Sequence, residues 1–123
     1  MALLIVRAGD ALMREMIFFF VLIAAPARAA DRYAEAKAII SAQCASCHRV
    51  PGVPGATGDV GPSLRGIAKQ QIIAGRLANT RANMVRWLMH PQQVAPGNGM
   101  PEMGLTQDQA SKIAAFLYTL DKR

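Results

Sequence analysis

Residues 44–48 read CASCH, and they contain both cysteines of this 123-residue chain. Two thiols three positions apart cannot close a useful disulfide loop, because the entropy removed from the unfolded chain grows with loop length. A thioredoxin-like redox pair would need a strand-to-helix junction in a βαβ setting, and no strand pattern precedes Cys44. A four-ligand zinc site would need a second ligand pair, and His90 is the one histidine outside the motif. CxxCH is the attachment signature of c-type haem. Each thiol adds to a vinyl group, which brings His48 beneath the iron as its proximal ligand. A short chain with a covalent porphyrin folds around it, because a domain this small buries little core of its own.

The start of the chain does not have a globular pattern. Residues 16–25, MIFFFVLIAA, form an unbroken apolar run with Arg14 before it and PARAA after it. A charge, a short apolar run and Ala27-Arg28-Ala29 describe a signal peptide over residues 1–29, cleaved after Ala29. A mature domain over 30–123 in the periplasm follows from that reading. Retention as a membrane anchor is the alternative. A spanning helix needs about 20 apolar residues, and one over Met1–Ile23 would bury Arg7, Asp10, Arg14 and Glu15. Residues 1–12 fit a leader poorly, whereas a start at Met13 gives a compact one.

Near the other end, PGNGMPEMGLT (96–106) places Met100 and Met103 on a loop with three glycines and two prolines. Haem iron in an electron carrier takes a sixth ligand, and a thioether raises the potential. A methionine on such a loop reaches the iron from the side opposite His48 without disturbing a helix. The second methionine then fills apolar space beside the porphyrin.

The remaining segments predict an all-α domain. Asp31 caps a helix running to about Gln43, with Ala36, Ile39 and Ile40 on its apolar face. Residues 49–63 hold seven Gly and Pro and predict a loop, and LRGIAKQ (64–70) a short helix. Thr80 caps a helix over about 81–90 that Pro91 ends. Thr106 and Gln109 form a capping box for the last helix, 107–120. Ile113, Ala114, Leu117 and Leu120 share one face of it, with Phe116 at the edge. Met84 and Met89 are packing residues.

CASCH, then GPSL (61–64), then residues 84–120 together resemble a class I cytochrome c over essentially the whole of residues 30–123. Residues 72–101 are similar to the cytochrome c domain fused to subunit II of some haem–copper oxidases. The resemblance implies three to four helices wrapped around one covalently attached haem. It implies Met100, the methionine followed by proline, as the axial ligand opposite His48, with Met103 the competing choice. It further implies that the Pro62 carbonyl accepts a hydrogen bond from the other nitrogen of His48, and that Trp87 turns its N–H toward a haem propionate. Arg76 would pair with a propionate or lie exposed. His90 falls where the family has a variable polar residue, so it is expected at the surface, favoured there by the helix dipole.

With both axial positions filled, such a haem carries one electron and no catalytic residue or small-molecule substrate is expected. Residues 30–123 carry 11 Lys and Arg against 6 Asp and Glu. That basicity suits salt-sensitive docking to an acidic redox protein, by resemblance a haem–copper oxidase. The positive residues are scattered and the chain reads as exported, so nucleic acid is not an expected partner. A haem subunit held permanently in a respiratory or dehydrogenase complex is the second reading, and a sensor or peroxidase-like protein with an open iron position the third.

Overall fold

The structure, a computed structural model, describes residues 31–120. The expected leader, its cleavage site and the alternative start at Met13 lie outside them. Helix α1 spans Ala34–Gln43, α2 Arg81–Met89, α3 Pro91–Val94 and α4 Gln107–Leu117. A 3-10 turn, Ile67–Lys69, and a small hairpin of β1 (Ile72–Ile73) and β2 (Leu77–Ala78) lie between α1 and α2. The fold is all-α apart from that hairpin.

The expected first helix forms two residues later than predicted, with its N-cap at Tyr33 and not Asp31. Asp31 caps the turn before it: Tyr33 N donates to Asp31 Oδ1 at 2.9 Å and Ala34 N to the Asp31 carbonyl at 2.8 Å. Tyr33 occupies the N-cap position of α1 and offers no side-chain cap. Ala36 and Ile40 are buried as expected, with Ile39 packed against the core edge.

Helix α2 begins at its expected cap, with Thr80 accepting from Asn83 N at 3.2 Å. Pro91 ends it and also opens α3, since a proline at the first helical position loses no intrahelical bond. The capping box on α4 is complete, Gln109 N to Thr106 Oγ1 at 3.2 Å and Thr106 N to Gln109 Oε1 at 3.0 Å. Phe116 is not at the edge of its helix face. It is 1% exposed and packs on the Tyr33 ring at 5.7 Å. Helix α4 crosses both α1 and α2, so the face predicted to be one stripe is buried on two sides.

The hairpin was not predicted. Arg76 N donates to the Ile73 carbonyl at 2.9 Å, with Ala74 at φ 51° and Gly75 at φ 67°. Both central residues are left-handed, the geometry of a type I′ turn. Asn79 ties this segment down. Its amide donates to the Ile67 and Gln70 carbonyls at 2.8 and 2.7 Å, and it accepts from Tyr118 Oη at 2.6 Å. The loop 49–63 is pinned as well: Val50, Val53 and Ala56 are buried, and Gly61 N donates to the Cys47 carbonyl at 2.7 Å.

Candidate cofactor site

Helices and the loops between them line an open cavity of about 590 Å³. Cys44, Cys47, His48, Met100 and Met103 all line it, and Ile40, Met84, Trp87, Leu88 and Leu117 supply apolar wall. The five sulfur and imidazole groups singled out in the sequence therefore meet in one space, although 52 residues separate His48 from Met100.

Helix α1 delivers CASCH to the cavity. Cys44 N and Ala45 N both donate to the Ile40 carbonyl, and His48 N donates to that of Cys44 at 2.9 Å, so the motif is a hydrogen-bonded turn that follows α1 directly. Both thiols are half-buried and free. Burial, and then the neighbouring Cys47, pushes the Cys44 thiol up.

The His48 ring is held from two sides. Its Nδ1 lies 2.7 Å from the Pro62 carbonyl oxygen. A carbonyl only accepts, so Nδ1 carries the proton and Nε2 of the neutral ring keeps its lone pair for a metal. A hydrogen bond of this kind fixes ring orientation and raises ligand basicity. Gly61 supplies the second restraint, since a Cβ built there would fall 2.5 Å from His48 Cε1. No reading of the sequence singled out Gly61 for this role. The G-P pair preceding Leu64 was the available signal.

The methionine loop is held by two side-chain amides that the sequence reading passed over. Gln92, on α3, donates through Nε2 to the carbonyls of Asn98 (2.9 Å) and Met100 (2.8 Å) and accepts from Gly97 N at 3.1 Å. Asn98 donates back to the Pro91 and Ala95 carbonyls at 2.9 and 2.7 Å, and accepts from Met100 N at 2.6 Å. Both backbone groups of Met100 are thus fixed.

Trp87 is half-buried on the cavity wall, and its indole N–H has no hydrogen-bond partner among the described residues. His90 does not line the cavity. It is partly exposed at the end of α2, with Nδ1 4.0 Å from Glu102 Oε2. Arg76 is exposed at the tip of the hairpin. Met84 is buried and Met89 packs against the core, and Met84 also faces the cavity.

A haem fits this site on chemical grounds. The cavity offers two thiols, one imidazole nitrogen with a free lone pair, the thioethers of Met84, Met100 and Met103, and an indole N–H without an acceptor among the described residues, in a mainly apolar wall. Cys44 and Cys47 would hold the vinyl carbons, His48 and a methionine the iron, and Trp87 a propionate. Among the described residues no group of three or more His, Cys, Asp or Glu could hold a bare metal ion.

Comparison with known proteins agrees. Over 90 residues the chain is 31% identical to cytochrome c oxidase subunit 2 of Bacillus sp. (strain PS3). That match covers 70% of this chain and 25% of the relative, so the chain spans about a quarter of that protein's length. No solved structure matches. The family model for cytochrome c aligns with residues 33–121, from the residue ahead of α1 to beyond the end of α4. The chain belongs to the cytochrome c family.

Proposed function

We propose that this protein is a periplasmic electron carrier with His48 and Met100 as axial ligands, and that it passes its electron to a haem–copper oxidase. The observation that carries this reading is the restrained imidazole. With Nδ1 committed to Pro62 and the ring backed by Gly61, His48 has one nitrogen left, in the cavity that Cys44, Cys47 and Met100 share. Haem c, when bound, supplies a one-electron couple whose potential a thioether ligand raises. The chain's part is to attach it, exclude water from it and keep both axial donors in place. Met100 is favoured over Met103 because its backbone N–H and carbonyl are both held by side chains. Arg49, Arg65, Arg76, Arg81 and Arg86 are exposed and favour an acidic partner surface.

A permanently bound haem subunit is the second reading, favoured by the similarity to one segment of an oxidase subunit. Among the described residues no helix is long and apolar enough to cross a membrane.

The test is an optical spectrum of the ferric protein, matured where the haem attachment machinery operates. The weak red band of sulfur–iron ligation is expected in the wild type and in Met103→Ala, and is lost in Met100→Ala. Its loss in Met103→Ala alone would reassign the ligand. Its absence from the wild type would leave an open or nitrogenous sixth position and remove the carrier reading.

A further inference from the structure

Met100 occupies a segment with no ladder partner. Its backbone N–H donates to Asn98 Oδ1 and its carbonyl accepts from Gln92 Nε2, and these side-chain bonds are the ones its backbone makes among the described residues. Each amide is used fully. Gln92 spends two N–H groups on the carbonyls of Asn98 and Met100 and its oxygen on Gly97 N. Asn98 spends two N–H groups on the Pro91 and Ala95 carbonyls and its oxygen on Met100 N. One amide reaches from α3 to the loop and the other from the loop back to α3. The base of both is Pro91, one of the largest fully buried side chains, which seats α3 in the core.

From this geometry we infer that Gln92 is a positioning residue for the sixth ligand: it clamps the 97–100 loop so that the Met100 thioether stays in the cavity against competing ligands. This rests on the Met100 reading above. The bonds to the Asn98 and Met100 carbonyls are part-buried, and fully satisfied polar networks rigidify a segment more than isolated surface bonds do. Met103 has no such holder. Its backbone makes no hydrogen bond among the described residues, although its side chain faces the same cavity. A thioether is a weak ligand, so its retention depends on the entropy the loop would gain by letting go. An amide that ties two carbonyls and one N–H of a four-residue stretch removes most of that freedom.

The test is competition by imidazole for the ferric iron in the holoprotein, read as loss of the red sulfur–iron band. Gln92→Ala is expected to bind imidazole about tenfold more tightly than the wild type, as loss of two to three modest hydrogen bonds implies. Gln93→Ala, an exposed neighbour on the same short helix, is expected to match the wild type. An affinity for Gln92→Ala within twofold of wild type would overturn the clamp. Should Gln92→Ala fail to mature, amide exchange in the wild type decides: Gly97 N–H, which Gln92 Oε1 accepts, should exchange at least about tenfold more slowly than Gly99 N–H, and equal rates would sink the idea. The Met100→Ala spectrum separates the two levels. A band that survives Met100→Ala removes the ligand reading and the clamp with it. A band lost in Met100→Ala, with unchanged imidazole affinity in Gln92→Ala, removes the clamp alone.

Discussion

Gly61 lies against the His48 ring so closely that a methyl group at its Cα would sit 2.5 Å from Cε1 and 2.8 Å from Nδ1. The same ring nitrogen meets the Pro62 carbonyl at 2.7 Å. Consecutive residues therefore set the height and the tilt of the imidazole.

Gly61→Ala should push the ring aside and break the bond to Pro62. Overpacking of this kind costs roughly 1–3 kcal/mol, so the holoprotein should melt several degrees lower, with a disturbed low-spin spectrum. Ser41→Ala, at an exposed position of α1 away from the cavity, is the control. Equal melting temperatures for the two variants would show that His48 can retreat freely.

Without its cofactor the chain should not hold its fold. The cavity of about 590 Å³ is walled by Ile40, Met84, Leu88 and Leu117, whose apolar surface would meet water without the porphyrin. The Cys44→Ala, Cys47→Ala double variant, prepared free of haem, should show little helical circular dichroism at neutral pH. Native-like helix content in that preparation would contradict the reading of the cavity as core.

Tyr118 gives an alkaline signature. Burial raises its phenol above the usual value, with Arg81 partly opposing, and Oη donates to Asn79 Oδ1 at 2.6 Å. A folded-state proton held more tightly contributes stability below the unfolded value of about 10, and that contribution is lost as pH rises through the folded value. Tyr118→Phe should cost about 1 kcal/mol at neutral pH, measured by urea unfolding. The difference between variant and wild type should close above pH ~10; a gap independent of pH would argue against an ionising donor.

Lys112 joins α1 to α4, with Nζ 2.9 Å from Glu35 and 2.7 Å from Asp108. Those bonds, Asp108 first, raise its pKa. The groups are exposed, so the effect should be small and electrostatic. Lys112→Met should lower the thermal midpoint slightly in dilute buffer and not at all in 1 M salt, where screening acts within ~3 Å. A loss that persists in salt would mean that the lysine stem packs.

What the amino-acid sequence determined by itself is local. CASCH names the cofactor because two thiols and an imidazole at that spacing suit one chemistry. Thr80, Thr106 and Gln109 mark their helix starts because a cap is made within four residues, and the apolar spacing of α4 marks its buried face. The tertiary structure decided everything that depends on which distant groups meet. The hairpin has strands of two residues, too short for any period, and its turn places Ala74 where glycine is the usual signal. Phe116 is buried because α1 and Tyr33 close over a flank that helix geometry alone leaves at the edge. Gly61 is needed because the imidazole arrives beside it. Gln92 and Asn98 carry no pattern at all: an amide can bond any carbonyl within reach, and only the folded loop determines that the carbonyl is that of Met100.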